Sequence, residues 1–137
     1  MRRDDVRDAR ELAMKIVFQM DVNNDFDYSN VTFNEITERY KKNHRAIDIL
    51  DNIKTNIDAI DELIASNSNT RKVGRIPKTD LAILRVAICE IMYIEDVPDA
   101  VAINEAVDMV KKYGSDNAKS YVNALLGNIV KNKKDYE

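Results

Sequence analysis

Residues 81–94 read Leu81-Ala82-Ile83-Leu84-Arg85-Val86-Ala87-Ile88-Cys89-Glu90-Ile91-Met92-Tyr93-Ile94. Wound as a helix, this stretch is apolar on almost every side, which is typical of a helix buried inside a protein. It is too short to cross a bilayer, which takes about 20 apolar residues, so we interpret it as the core helix of a soluble domain. Only Arg85 and Glu90 are charged. Because a buried charge is costly without a partner, we expect both to form structural ion pairs.

The composition predicts an all-α protein with a substantial core. The sequence has 137 residues, of which 45% are hydrophobic and 33% are charged, with three glycines and two prolines. Apolar residues at every second position, which would indicate strands, are missing. The charged N-terminus is not followed by an apolar run like that of a signal peptide. We therefore expect a cytoplasmic protein with no membrane partner.

The sequence offers little chemistry for catalysis. Cys89 is the only cysteine and His44 the only histidine, and they are expected in the core and at the surface, respectively. No glycine-rich phosphate loop is present, and a Ser/His/Asp or Cys/His set is implausible. We expect no catalytic residues, no metal site and no cofactor. The net charge of −3 means that any nucleic-acid site must be a local basic patch. The residues alone thus indicate an all-helical domain, most consistent with a binding module.

Further helices are predicted around the central one. Residues 4–21, 45–66 and 99–113, and a last segment ending near residue 131, have apolar residues at steps of three and four. The capping-box spacing of Thr32-Phe-Asn-Glu35 predicts a short helix to about Lys42. The polar run at 66–70 predicts a boundary between an N-terminal subdomain of about residues 1–68 and a C-terminal one of about 69–137. Residues 132–137 are expected to be loose.

Turn residues predict where these helices begin and end. Thr79 or Asp80 is expected to cap the central helix, after Pro77. Gly114 is a suitable residue to follow the helix at 99–113, because a glycine often ends a helix in the left-handed conformation. Ser115 or Asp116 is then expected to cap the last helix.

The first helix has two faces with different predicted roles. Its core stripe is formed by Ala9, Leu12, Ala13, Ile16, Val17 and Met20. The opposite side carries Arg3, Arg7, Arg10, Met14 and Phe18. Cations beside an outward aromatic ring suit single-stranded nucleic acid, because the cations meet phosphates and the ring can stack on a base. The alternative is a solvated face in which Met14 and Phe18 pack on another helix, and spacing alone leaves both open.

Three stretches resemble the NusB family of transcription antitermination factors. The first runs from Ala9-Arg-Glu-Leu-Ala13 to Phe18-Gln-Met-Asp21, and the second is Asp80-Leu-Ala-Ile-Leu-Arg-Val-Ala87 with Glu90. The third comprises Val97-Pro98, Ala102-Ile-Asn-Glu-Ala-Val107, Lys111-Lys-Tyr-Gly114 and Tyr121-Val-Asn123. Together they cover about half the chain, in the family's order. The third stretch is the most specific.

The resemblance implies a fold of two antiparallel helical bundles packed at right angles across the central helix, and a role without catalysis. Members of the family bind the boxA segment of nascent RNA together with a small-subunit ribosomal protein, called NusE in this role. The complex joins RNA polymerase and supports antitermination, especially on ribosomal RNA operons.

The resemblance also assigns site residues. The candidates for RNA binding are Arg2, Arg3, Arg7, Arg10, Phe18, Lys119 and Tyr121. The candidates for binding NusE are Asp80, Asp116 and Asn117. The sequence departs from the family pattern where acids interleave the N-terminal arginines, where Asn117 replaces a frequent acid, and where Ala124 replaces a frequent glycine.

Two other functions compete with the RNA-binding adaptor. A NusB-like domain also precedes the catalytic domain of some ribosomal RNA cytosine methyltransferases, but this chain has no room for a cofactor-binding α/β domain. The other is a protein-only scaffold, or a homodimer in which the RNA face is hidden.

Overall fold

A computed structural model describes residues 3–30, 43–68 and 72–136, without the side chains of residues 3, 4 and 30. Within these ranges all regular structure is helical, which confirms the predicted class. The bounds of the α-helices are α1 Arg3–Asn23, α2 His44–Asn67, α3 Lys78–Tyr93, α4 Asp99–Tyr113, α5 Ala118–Lys131 and α6 Lys133–Tyr136. The short helix predicted from Thr32 to Lys42 lies outside the described residues.

Helix α3 is the core helix, as its sequence predicts. Every residue from 80 to 91 is buried, and α1, α2, α4 and α5 all pack against it. Leu84 and Ile88 have no exposed surface. Because every side of α3 meets another helix, an apolar residue is favoured at nearly every position.

Arg85 and Glu90, the two charged residues of the stretch 81–94, are paired inside the protein, which confirms the expected structural ion pairs. Arg85 donates through Nε and Nη2 to the two carboxylate oxygens of Asp61 on α2, both at 2.9 Å. Glu90 accepts from Arg10 on α1. The guanidinium carbon of Arg85 also lies 4.9 Å from the centre of the Phe26 ring. These contacts join α1 and α2 to the core helix.

Helix α1 buries the predicted core stripe completely. All six of its apolar residues are buried. The helix ends two residues later than predicted, because Asn24 adopts a left-handed conformation with φ 54°. The backbone N–H of Asn24 donates to Asp21 O at 3.1 Å, and that of Asp25 donates to Met20 O at 3.0 Å. This pair of bonds is a Schellman motif, which satisfies carbonyls at the end of the helix.

Helix α2 confirms the long amphipathic helix. Leu50, Ile53, Ile60 and Ile64 are buried. The backbone is non-helical at Asn56, with φ −116° and ψ 19°, where the Asn56 side chain donates to the Asn52 carbonyl at 2.9 Å. A side chain that inserts into the hydrogen-bond ladder is a common cause of a kink.

The predicted capping residues between α3, α4 and α5 act differently. Pro77 is the N-cap of α3 and Asn117 that of α5, and neither makes a side-chain capping bond. Asp80 lies in the first turn of α3 and accepts from the Ser115 backbone N–H at 3.1 Å and from its hydroxyl at 2.7 Å. The capping predictions, Thr79 or Asp80 for α3 and Ser115 or Asp116 for α5, are therefore wrong. Asp80 and Ser115 bond each other across the fold instead of capping their own helices.

Gly114 is needed for close approach and not for a left-handed turn. Its φ of −82° and ψ of 178° are extended values that any residue adopts. A Cβ atom added there would lie 2.7 Å from Asp80 Oδ1 and 2.9 Å from Val110 O. We call Asp80, Gly114 and Ser115 the junction, because they join the start of α3 to the connection between α4 and α5.

The C-terminal residues are more ordered than predicted. Residues 133–136 form one helical turn. Lys133 Nζ lies 3.2 Å from Asp99 Oδ1, and Asn67 donates to the Tyr136 hydroxyl at 3.2 Å. No described helix is both long enough and apolar enough to span a membrane. The division into two subdomains stays a prediction.

Candidate nucleic-acid interface

A groove separates α1 from α4, which both pack on α3. It has a volume of about 380 Å³. We call it the α1–α4 groove and define it by its lining residues Arg7, Asp8, Arg10, Glu11, Glu105, Asp108, Met109 and Lys112. It brings together two of the arginines that the sequence proposes for RNA binding.

Arg7 lies at the edge of the groove and keeps much of its surface. Its side chain is 44% exposed, and its Nε donates to Glu105 Oε1 on α4 at 3.1 Å. Glu105 is only 14% exposed. Arg7 is thus attached to a well-fixed acceptor while part of its guanidinium faces solvent.

Arg10 lies deeper, and its prediction on an exposed face is wrong. The residue is 4% exposed, and its Nε donates to both carboxylate oxygens of Glu90 at 2.8 Å. Met14 is also buried, and Phe18 is partly buried against the core. The physical reason is that α1 packs against both α2 and α3, so the buried arc of the helix is wider than one apolar stripe. The alternative interpretation, packing against the rest of the protein, describes Met14, whereas Phe18 keeps part of its surface exposed and stays a predicted RNA contact.

The far end of the groove contains a second polar cluster. Glu11 accepts from Lys112 Nζ at 2.7 Å and from the Tyr113 hydroxyl at 3.1 Å. Burial raises the pKa of Glu11, but these hydrogen bonds outweigh burial, and the pKa of Glu11 lies below its ordinary value. Lys15 Nζ and Lys112 Nζ lie 5.4 Å and 5.1 Å from the centre of the Tyr113 ring, within the range of a cation–π contact. Sequence reasoning missed this cluster, although its signal was the Lys111-Lys-Tyr-Gly114 motif.

The groove has one more acid than cation and is not a basic patch. Its lining has three cations, Arg7, Arg10 and Lys112, and four acids, Asp8, Glu11, Glu105 and Asp108. The predicted positive patch is therefore absent from the described part of α1, so attraction over long distances would be weak. Arg2 and the side chain of Arg3 lie outside the described residues.

The remaining RNA candidates lie on α5, which packs against α2, α3 and α4. Lys119 is exposed. Tyr121 is half-buried, as its position at the edge of the apolar stripe predicts, and its hydroxyl shares a hydrogen bond of 2.5 Å with the Ser68 hydroxyl. The ring is therefore held in place from the end of α2.

The three partner candidates differ in exposure. Asp116 and Asn117 are exposed in the turn before α5. Asp80 has no exposed surface, and both of its oxygens accept from Ser115. Its predicted place on a partner-binding surface is therefore wrong. The acid is used to fix the turn that carries Asp116 and Asn117.

The described residues contain no group of three or more side chains suited to hold a metal ion. The Cys89 thiol is buried and donates to Ile49 O at 3.5 Å, and burial raises its pKa. A thiol in this state is a poor nucleophile, because the thiolate is the reactive form. His44 is exposed, as predicted.

Comparisons with known proteins agree with one another. The sequence matches the NusB family over residues 7–131. It is 40% identical over 130 residues to the transcription antitermination protein NusB of Clostridium novyi (strain NT), which covers 91% of this chain and 97% of that relative. The fold is similar to T. maritima NusB, with a TM-score of 0.80, 28% identity and 96% of each chain covered.

A second solved structure shares the fold at lower identity. It is the crystal structure of the antitermination factors NusB and NusE in complex with dsRNA. A chain of that complex aligns with a TM-score of 0.81 and 21% identity, over 95% of this chain and 98% of the other.

Proposed function

The chain belongs to the NusB family, and we propose that it is a non-catalytic transcription antitermination factor that binds boxA-like single-stranded RNA. In this proposal it binds the RNA together with the ribosomal protein NusE. The complex then joins RNA polymerase and supports antitermination on ribosomal RNA operons. The observation that carries the proposal is similarity to a transcription antitermination protein over nearly the whole length of both chains.

RNA and NusE are proposed as ligands because a protein of the same fold was crystallised with both. Arg7 is the described candidate best suited to meet a phosphate, because its side chain is 44% exposed and already oriented. Phe18, Lys119 and Tyr121 remain proposed RNA contacts. Arg2 and Arg3 are proposed as further phosphate contacts at the N-terminus.

NusE is proposed to bind at Asp116 and Asn117, with Asp80 acting through the turn that it holds. Both ligand surfaces include the first turns of α5, since Tyr121 is one turn beyond Asn117, about 6 Å along the helix axis at 1.5 Å per residue. A bound NusE would then extend the RNA platform. Coupling of ordinary size would tighten RNA binding roughly 5- to 150-fold, and RNA would tighten NusE binding by the same factor.

The experiment is a fluorescence anisotropy titration with labelled boxA-like RNA, as a single strand and as a duplex, over a series of salt concentrations. We expect tighter binding of the single strand. Arg7→Ala should weaken binding and make its salt dependence less steep, because a phosphate contact releases a counterion. Phe18→Ala should weaken binding by about 1–3 kcal/mol through lost stacking, with little change in the salt slope.

Arg75→Ala is the control, because Arg75 is exposed and lies in the turn before α3. If neither form of RNA binds and sedimentation shows a dimer, the protein-only alternative replaces the proposal. If RNA binds but Arg7→Ala and Phe18→Ala bind as the wild type does, the function stands and the assigned surface is wrong.

A further inference from the structure

Each of the two arginines of the α1–α4 groove is bound by a carboxylate at its Nε atom. Glu105 binds Nε of Arg7, and Glu90 binds Nε of Arg10. Each carboxylate comes from a different helix, α4 for Glu105 and α3 for Glu90. A guanidinium has five N–H donors, four of which are on the terminal Nη atoms. Among the described residues, the hydrogen bonds of both arginines are made through Nε, and none is made by their Nη atoms.

Arg10 lines the groove although the residue is only 4% exposed. Within the described residues, the only buried side-chain polar atoms without a hydrogen-bond partner are Asp21 Oδ2 and Arg85 Nη1. The Nη atoms of Arg10 are not among these fully enclosed atoms. Arg10 lines the groove between α1 and α4, and we infer that its terminal edge faces this groove.

Arg7 and Arg10 can act on one ligand group. Residues three apart on a helix are neighbours, with about 5–6 Å between their Cβ atoms, and both arginines line the same groove. Two guanidinium forks that converge from one helix match the several acceptor oxygens of a phosphate.

We propose that Glu105 and Glu90 are positioning residues that fix Arg7 and Arg10 by their Nε atoms, so that the Nη edges form a subsite for one phosphate group of single-stranded RNA. The inference rests on the proposed function and adds to it a defined place for one phosphate. It also explains how a groove without net positive charge binds RNA: recognition comes from oriented donors and not from long-range attraction.

In the opposite role, Glu105 would compete with the phosphate for Arg7 and would have to leave Arg7 before the phosphate could bind. The geometry favours positioning for two reasons. Glu105 occupies Nε alone, whereas a phosphate can approach the Nη edge without displacing it. Glu105 is also mostly buried, so releasing it from Arg7 would leave a desolvated carboxylate without its partner.

The test compares Glu105→Ala with Glu105→Gln in the RNA titration. Glutamine keeps an oxygen that accepts from Nε but carries no charge, whereas alanine removes the acceptor. Positioning predicts that Glu105→Ala weakens RNA binding by about 2- to 10-fold, the range that ordering one flexible side chain on binding costs. Glu105→Gln should bind at least as tightly as the wild type. In an Arg7→Ala background, Glu105→Ala should have no further effect, because the side chain that it positions is absent.

Asp58→Ala is the control. Asp58 is an exposed acid on α2 and does not line the α1–α4 groove, so its removal should leave RNA affinity unchanged. Melting temperatures of the two Glu105 variants and the control should stay close to that of the wild type. The buried pair of Glu90 and Arg10 is tested with Glu90→Gln, because glutamine keeps an oxygen that accepts a hydrogen bond from Arg10.

The outcomes separate the inference from the proposed function. Tighter binding by Glu105→Ala than by Glu105→Gln would identify Glu105 as a competitor and overturn the inference. Unchanged binding by Glu105→Ala, with RNA bound normally by the wild type, would overturn it as well. No RNA binding by the wild type would overturn the proposed function and the subsite together.

Discussion

The α1–α4 groove and the junction both use charged side chains that the sequence assigned to ligands, but they use them differently. In the groove, Arg7 gives one donor to Glu105, and its side chain stays 44% exposed. At the junction, Asp80 is fully buried and both of its oxygens accept from Ser115. Residue type therefore does not distinguish a binding residue from a structural one. What distinguishes them is whether hydrogen-bonding capacity remains where a ligand can reach it.

The largest expected effect is a loss of stability that distinguishes the ion pair at the bottom of the groove, Arg10 with Glu90, from the one at its edge, Arg7 with Glu105. Glu90→Ala leaves the buried guanidinium of Arg10 without its carboxylate and should lower the free energy of unfolding by about 3–5 kcal/mol. Urea denaturation measures this change. Glu105→Ala is the control, because it removes a partly exposed ion pair and should cost only about 0–1 kcal/mol. Equal losses in the two variants would show that the two ion pairs do not differ as described.

The next effect tests close packing at the junction. Gly114→Ala should lower the free energy of unfolding by about 1–3 kcal/mol, because overpacking forces neighbours to move. The new Cβ would lie 2.7 Å from Asp80 Oδ1. Gly127→Ala is a suitable control, since a Cβ at that helical position meets no atom within 4 Å, and alanine favours helix. A stable Gly114→Ala variant would mean that the junction relaxes easily.

The smallest effect is a difference in pH dependence between two acids of the groove region. Burial raises the pKa of Glu90 more than its bond with Arg10 lowers it, so its contribution to stability is present below pH 4.5 and is lost as the pH rises through the raised pKa. The pKa of Glu11 is lowered, despite burial, by its hydrogen bonds from Lys112 and Tyr113. Its contribution is present above pH 4.5 and is lost as the pH falls through the lowered pKa.

The measurement is thermal unfolding of Glu90→Gln and Glu11→Gln at several pH values between 3 and 7. With rising pH, the wild type should lose stability relative to Glu90→Gln. With falling pH, the wild type should lose stability relative to Glu11→Gln. If stability changed in the same direction with pH for both acids, the difference between buried Glu90 and Glu11, at the far end of the groove, would be contradicted.

The sequence predicts well what depends on one helix alone. The all-sided apolar pattern of residues 81–94 identifies the core helix, and the stripe on α1 identifies the residues that it buries. These patterns repeat along a single segment, so neighbouring residues carry the information.

The sequence does not predict how many helices cover a given face. The burial of Arg10 depends on Glu90, 80 positions away, and that of Asp80 depends on Ser115, 35 positions away. Gly114 shows the same limit. Glycine is needed at this position because a Cβ atom would lie too close to Asp80, and not because of the backbone conformation of residue 114. Pairings of this kind arise only when the helices pack.

The most direct measurement is the RNA affinity of Arg7→Ala and Asp80→Asn, determined side by side at a temperature at which both variants are folded. We predict that Arg7→Ala weakens binding of boxA-like single-stranded RNA and reduces the salt slope by about one unit. Asp80→Asn should bind RNA as the wild type does and should lose only thermal stability. Wild-type affinity of Arg7→Ala, or a loss of affinity in Asp80→Asn as large as in Arg7→Ala, would contradict the difference between the groove and the junction.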